Sequence, residues 1–271
     1  MNFTFPLVRF SKKHYLQELQ QGSMYMRNAC YYRAMESECG NTVQGDQLES
    51  KLPYYSGNYF QKILSKNNIS SDDIIGNWSL MAANNFICCM YAFNESNIIN
   101  RGENWITLGI NRRQNDIKKF GEHALVICDV DRFIQSFGTT TIDCSYKQQG
   151  YVEYHDLYDH DIADVITGKY IAHLASTDPQ KAIQRPEFIK NINYEYQQEY
   201  RFVVNTAYSP EDIVSEYQGI IKNDGIKIEI EDCTSHSFIC STEDLLSHTL
   251  CFKWENNIFK VGFSDQDLRS R

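Results

Sequence analysis

Four polar side chains fall at alternate positions in Tyr194-Glu-Tyr-Gln-Gln-Glu-Tyr-Arg-Phe-Val-Val204, namely Glu195, Gln197, Glu199 and Arg201. In a strand, alternate residues share a face, so these four point one way and Tyr196, Gln198, Tyr200 and Phe202 the other. Carboxylate, amide and guanidinium groups in one row can grip and polarise a ligand. The stretch therefore reads as a cleft wall on which Gln197 and Glu199 meet a ligand. The competing reading is a solvated edge strand, where charged side chains prevent edge pairing.

Two other groupings invite chemistry. His155, Asp156, His160 and Asp161 are good ligand types for a transition metal and would suit a metal-dependent nuclease. Yet the two histidines are five residues apart, which does not align them as the four-residue helical spacing does, so no metal ligand is assigned. Nine cysteines are scattered, odd in number and mostly inside apolar runs, and no Cys-x-x-Cys occurs. Free thiols in a reducing cytoplasm fit this usage better than a disulfide framework. Cys88 and Cys89 sit in a run too apolar to hold a thiolate nucleophile.

The elements that must position these residues follow from patterning. Phe5 to Phe10 is β-favouring, Ser11 caps a helix through Gln21 with Leu16 and Leu19 on its apolar side, and Gly22 stops it before an alternating strand, Ser23 to Asn28. Gly40 to Glu49 is turn-rich, and Gly45-Asp46 reads as a turn; a helix capped by Ser70 or Ser71 runs to Ile75. Asn85 to Phe93 and Phe120 to Asp129 are continuous apolar runs of strand length, as central strands show. Asp129 to Phe137 carries Val130, Phe133, Ile134 and Phe137 on one helical face. Gly150 to His155 is a strand, Ile162 to about 182 is helical in parts, and the candidate wall is a strand over 196–204. Glu211 to Tyr217 is a short helix, Ile226 to Ile230 a strand, Ser241 to Leu250 a capped helix and Asn257 to Phe263 the last strand.

The 271-residue chain is 42% hydrophobic, ordinary globular material that is inconsistent with general disorder. No linker or repeat divides it, so the expectation is a single α+β domain over 1–264, with mixed, largely antiparallel sheets flanked by short helices, and a polar C-terminal tail over 265–271. A net charge of −9 argues against passive adhesion to nucleic acid or anionic membrane, although a local basic groove inside an acidic whole remains compatible with it. No run of about 18 apolar residues occurs. A cytoplasmic protein without a membrane segment is expected.

Read in order, Arg9-Phe with its following helix, Gly22-x-x-Tyr-Met, Tyr32-Arg-x-x-Glu36, Gly45-Asp-x-x-Glu49, the Phe86-Ile-Cys-Cys-Met strand, Phe120-Gly, Val152-Glu-Tyr154, Phe188-x-Lys190 and Glu195-x-x-x-Glu-Tyr-Arg-Phe202 resemble the layout of DUF2971-like bacterial defence domains over roughly 5–232. The chain is also similar in outline to ADP-ribosyltransferase-like toxins. That resemblance implies an ADP-ribosyltransferase-like fold and an effector, a toxin or phage-defence protein, that uses NAD as substrate and modifies a macromolecular acceptor, protein or nucleic acid, under the control of a neutralising antitoxin. It makes Glu199 the catalytic carboxylate that stabilises an oxocarbenium-like ribose, Gln197 the residue two before it that positions the acceptor, and Arg9 the first-strand group that holds ribose or phosphate. For the middle position of that family, Tyr25, Tyr32 and Tyr91 compete, and Tyr25 and Tyr32 are carried forward as dinucleotide-binding. Arg201 is read as a positioning residue paired with Glu36, Asp46 or Glu49, which ties the early loop to the late strand. The alternative on the same scaffold is a non-catalytic binding or sensing module.

Overall fold

The computed structural model describes residues 4–29, 31–32, 35, 58–68, 85–110, 113–144, 146–174, 186–206, 225–255, 258–263 and 269–270. The chain opens with β1 (Leu7–Ser11), α1 (Lys13–Gln20) and β2 (Ser23–Asn28). Then come α2 (Asn58–Asn67), the central strand β3 (Asn85–Ala92) and the hairpin β4 (Ile98–Arg101) and β5 (Trp105–Leu108). Short α3 (Gln114–Ile117) leads to β6 (His123–Ile127), α4 (Val130–Thr139), β7 (Tyr146–Tyr151), β8 (Glu153–His155) and α5 (His160–Leu174). The last part holds β9 (Ile189–Asn191), β10 (Glu199–Asn205), β11 (Gly225–Glu229), β12 (Ser237–Ser241), α6 (Thr242–Ser247), β13 (Leu250–Glu255), β14 (Ile258–Gly262) and β15 (Arg269–Ser270).

These elements make an α+β fold of antiparallel sheets with short helices, as the patterning predicts. An eight-stranded sheet runs β11-β2-β3-β1-β6-β12, with β10 on β3 and β7 on β10; a second sheet runs β15-β14-β13-β5-β4. The one parallel pair among the described strands is β8 with β9.

Alternation gives the large sheet two buried faces. Leu7, Met24, Met26, Cys88, Met90, Leu125, Ile127, Phe202 and Val204 pack beneath α1 and α4, whose Leu16, Leu19, Phe133 and Phe137 complete that layer. On the other face Val8, Phe10, Tyr91, Ala124 and Val126 meet Ile106, Leu108, Leu250 and Phe252 of the second sheet. The described cysteines are free thiols, and burial pushes the Cys88 thiol pKa up, so it behaves as a small apolar group. Among the described residues no helix is long and apolar enough to cross a membrane.

The feature that matters for the site is a fork. β1 pairs with β3 only at Leu7 with Ala92 and Val8 with Tyr91, and β2 pairs with the same edge of β3 only at Arg27 with Ile87 and Asn28 with Phe86. Between those pairings lie Cys88, Cys89 and Met90. Here the sheet divides into a branch continued by β6 and β12 and a branch continued by β11, and α1 connects the two. Two glycines allow this local geometry. Gly22 takes a left-handed φ of 99° at the turn into β2. A Cβ on Gly121 would lie 2.4 Å from the Ser11 backbone, where β1 ends.

Several expectations are corrected. The stretch 196–204 is not one strand: Ile192–Gln197 is a 3-10 turn, and Gln198 adopts a left-handed φ of 42° before β10 begins. Asn191 starts that turn, its side chain accepting from the Asn193 N–H at 3.0 Å. β10 is also no edge strand, because it lies between β3 and β7 and is buried along its length. The strand expected at 150–155 breaks at Val152 into β7 and β8. The helix expected over 241–250 ends at Ser247, and the chain turns straight into β13. Within the expected unstructured tail, Arg269 and Ser270 pair with β14. The helix expected over 211–217, the one reaching Ile75, and the Gly45-Asp46 turn lie outside the described residues.

Candidate functional site

A cleft of about 980 Å³ occupies the fork. β3 supplies its floor through Cys88, Cys89 and Met90; Arg9 comes from the β1 branch, Tyr25 and Arg27 from the β2 branch, and Lys12, Lys13 and Tyr15 from the start of α1. Lys190, Gln197, Glu199 and Arg201 line it as well. Seven residues singled out from sequence, Arg9, Tyr25, Tyr32, Tyr91, Gln197, Glu199 and Arg201, thus share one cavity. Glu195 is exposed and lies outside its lining. Asp46 and Glu49, with Glu36, lie outside the described residues.

Glu199 is held from several sides in the cleft. It is 7% exposed, and its two oxygens take Lys190 Nζ at 2.7 Å and Arg201 Nε at 2.6 Å. Burial alone would raise its pKa; Arg201 and Lys190 outweigh that and hold the carboxyl below its usual range, so it stays ionised. Its backbone is fixed too: the N–H donates to the Tyr154 hydroxyl at 2.8 Å, and the carbonyl accepts from the Val152 N–H at 2.9 Å. This bracketing falls where β7 leaves β10 and passes into β8. Burial holds the Tyr154 phenol well above its ordinary pKa, with Glu199 adding to the effect, so it remains a neutral hydroxyl.

Lys190 joins the two glutamine and glutamate positions. Its ammonium donates to Gln197 Oε1 and to Glu199 Oε1, each at 2.7 Å, and lies 4.6 Å from the Tyr194 ring centroid. Gln197 and Glu199 therefore converge through a common lysine on one side of a helical turn, not through strand alternation. Arg201, fully buried, also donates from Nη1 to the Glu187 carbonyl at 2.6 Å. One of its partners is thus the carboxylate two residues earlier in its own strand; the pairing expected with Glu36, Asp46 or Glu49 falls on residues outside the described ones.

Arg9 fills the fork. Its guanidinium donates to the Cys89 carbonyl, replacing a strand-to-strand bond that β1 no longer makes, and it hydrogen-bonds to Tyr32. Burial works against its charge, while the hydrogen bond with Tyr32 favours it, and its pKa stays above the ordinary value. Among the described residues no carboxylate pairs with Arg9. Beside it, the Arg27 guanidinium lies 3.8 Å from the Tyr31 ring centroid and 5.7 Å from that of Tyr25, a stacked arrangement of cation and rings.

Tyr91 lines the cleft with its hydroxyl accepting from Asn97 Nδ2 at 2.9 Å. His155 pairs with Glu153 at 3.3 Å, and among the described residues no group of three or more His, Cys, Asp or Glu is placed to hold a metal ion.

Sequence patterning missed the roles of Lys190 and Tyr154. A lone lysine after Phe188-Ile189, within an apolar run, was the available signal for Lys190. Its meaning depended on partners that a turn brings to it. Tyr154 stood in the Val152-Glu-Tyr154 pattern without a role, since its contact is set by where β7 departs from β10.

No protein-family model matches the chain, and neither a curated protein nor a solved structure matches it.

Proposed function

We propose that the cleft binds an NAD-class dinucleotide and transfers its ADP-ribosyl group to a macromolecular acceptor, on a scaffold of the ADP-ribosyltransferase type and in a toxin or phage-defence setting where a partner restrains it. The observation that carries this reading is the convergence of Arg9, Tyr25, Tyr32, Gln197 and Glu199, from both ends of the chain, on one cationic cleft. The residues present suit the ligand. Arg9 offers a planar guanidinium for a phosphate or ribose oxygen, phenols offer flat faces and hydroxyls, and the volume lies at the upper end of the roughly 300–1,000 Å³ usual for ligand sites.

Each residue then has a physical task. Glu199 presents a fixed negative charge where positive charge develops on the ribose; Lys190 and Arg201 hold that carboxylate in place and ionised. Gln197, held by the same lysine, orients the acceptor. In the transfer, the bond from ribose C1′ to the nicotinamide nitrogen breaks and its electron pair leaves with nicotinamide. A nucleophilic atom of the acceptor bonds to C1′ and gives up its proton to solvent. A Glu199→Asp change keeps the charge and withdraws it by one methylene, so transfer should fall about a hundredfold, the usual effect of a misplacement near 1 Å. Unchanged transfer in that variant would remove the assignment.

A second reading has its own support. Both Glu199 oxygens are already engaged by cations, which is what a structural ion cluster in a non-catalytic binding or sensing module requires. That reading expects ligand binding without release of nicotinamide.

A further inference from the structure

The cleft is far more cationic than the protein that contains it. Its lining holds eight lysines and arginines against three carboxylates, in a chain of net charge −9. The pyrophosphate of a dinucleotide, seated near Arg9, accounts for only part of that surplus. Lys190 and Arg201 are buried against Glu199, and the rest lies outward, toward the rim. Lys12 and Lys13 are exposed where β1 runs into α1, and Tyr15 beside them is 53% exposed with its ring 3.9 Å from that of His14. Lys227 and Lys119 flank the same mouth, the first paired with Glu18 at 2.7 Å and the second with Asp116 at 3.0 Å. Further in, Arg27 is stacked with Tyr25 and Tyr31.

Lysines interleaved with accessible flat rings have a specific chemical match. A phosphate backbone satisfies the cations, and unstacked bases lie on tyrosine and arginine faces without regard to sequence. A duplex keeps its base faces covered and offers only its phosphates. An acidic peptide satisfies the lysines but leaves the rings without planar partners. We infer that the rim of the fork, from Lys12 and Tyr15 inward to Arg27 and Tyr31, binds single-stranded nucleic acid. This deepens the transfer reading by naming the macromolecule that reaches the cleft, and it rests on that reading only in making the strand an acceptor.

The test measures binding without NAD, so its failure is separate from failure of the dinucleotide assignment. A fluorescently labelled single strand of about 12 nucleotides, within the span one binding module covers, is titrated with the full chain by anisotropy at several salt concentrations. Duplex of the same sequence and polyglutamate serve as competitors. Binding should weaken with salt, and unlabelled single strand should compete better than duplex or polyglutamate. The double variant Lys12→Gln, Lys13→Gln should bind about tenfold more weakly, with a salt slope shallower by about 1.4 from the loss of two phosphate contacts. The same charge change at exposed Lys62 and Lys66 of α2, outside the cleft, should leave binding unaltered. No binding of the single strand, equal competition by polyglutamate, or an unaltered salt slope in the Lys12, Lys13 variant overturns the inference. Release of nicotinamide alongside any of these would show the dinucleotide site intact and the macromolecule to be of another class.

Discussion

The two edges of β3 are used in opposite ways. Toward β10 the ladder is unbroken over seven residue pairs, from Glu199 with Tyr91 to Asn205 with Asn85. Toward β1 and β2 it holds at two pairs at each end and opens between them. The closed edge makes Glu199 and Arg201 immobile by burial and by strands on both sides. The open edge leaves a cavity whose missing backbone bond is replaced by a side chain, Arg9. Rigid charge thus stands beside open space, the arrangement needed for a preorganised site, and the two edges should respond differently to mutation.

The largest effect is expected on the closed edge. Glu199→Gln takes away the carboxylate that two buried cations share and should lower unfolding free energy by about 3–5 kcal/mol, the range for breaking a buried ion pair by removing one partner. Denaturant titration checks this, and a loss below about 1 kcal/mol would mean that the cluster is far better solvated than its burial indicates.

The open edge should separate binding from stability. Arg9→Met removes a charged donor from the cleft, and a lost charged hydrogen bond of about 1.5–3 kcal/mol corresponds to roughly 10- to 100-fold in dinucleotide affinity. Calorimetric titration measures that loss, while unfolding of the same variant should shift less than it does for Glu199→Gln. The reverse order would make Arg9 a structural plug and Glu199 the more dispensable group.

Acid should act on the closed edge first. The folded pKa of Glu199 is lowered, so its contribution to stability is fully present above the unfolded carboxylate value near 4.3 and is lost as pH falls through the folded value. Stability should therefore decline below about pH 4, and the decline should be shallower in Glu199→Gln. A parallel decline in both proteins would assign the acid sensitivity to other carboxylates.

The smallest effects are expected at the surface. Arg132 and Glu231 are ion-paired but about half exposed, so Glu231→Gln should leave the unfolding midpoint nearly unchanged, with any shift confined to low salt. Glu195→Gln should leave transfer and stability unaltered, since Glu195 is exposed on the turn before β10.

Much of the scaffold was legible because local chemistry and final packing agree. Leu16, Leu19, Gly22 and the Met24, Met26 alternation specify strand, helix and strand, and the apolar runs at 85–93 and 120–129 became the centre of the sheet. Ile98–Arg101 and Ser237–Ser241 were missed because their residues are polar or mixed and owe their extended form to neighbours, Thr107 and Ile127 among them. The candidate site was legible by residue but not by geometry. Gln197 and Glu199 were selected as neighbours on a strand face, whereas Asn191 and the left-handed Gln198 fold them onto Lys190. The fork itself left no local trace, since it arises from two strands that compete for one edge of a third.

The most direct test of the account uses NAD labelled separately on its nicotinamide and adenylate parts, mixed with the intact protein and with the Glu199→Asp variant. Both proteins should bind NAD, the intact protein should release nicotinamide with adenylate label passing to a macromolecule, and the variant should release it about a hundredfold more slowly. Binding without any release would leave a sensing module, and a folded protein that neither binds NAD nor releases nicotinamide would contradict the assignment of the fork as a dinucleotide site.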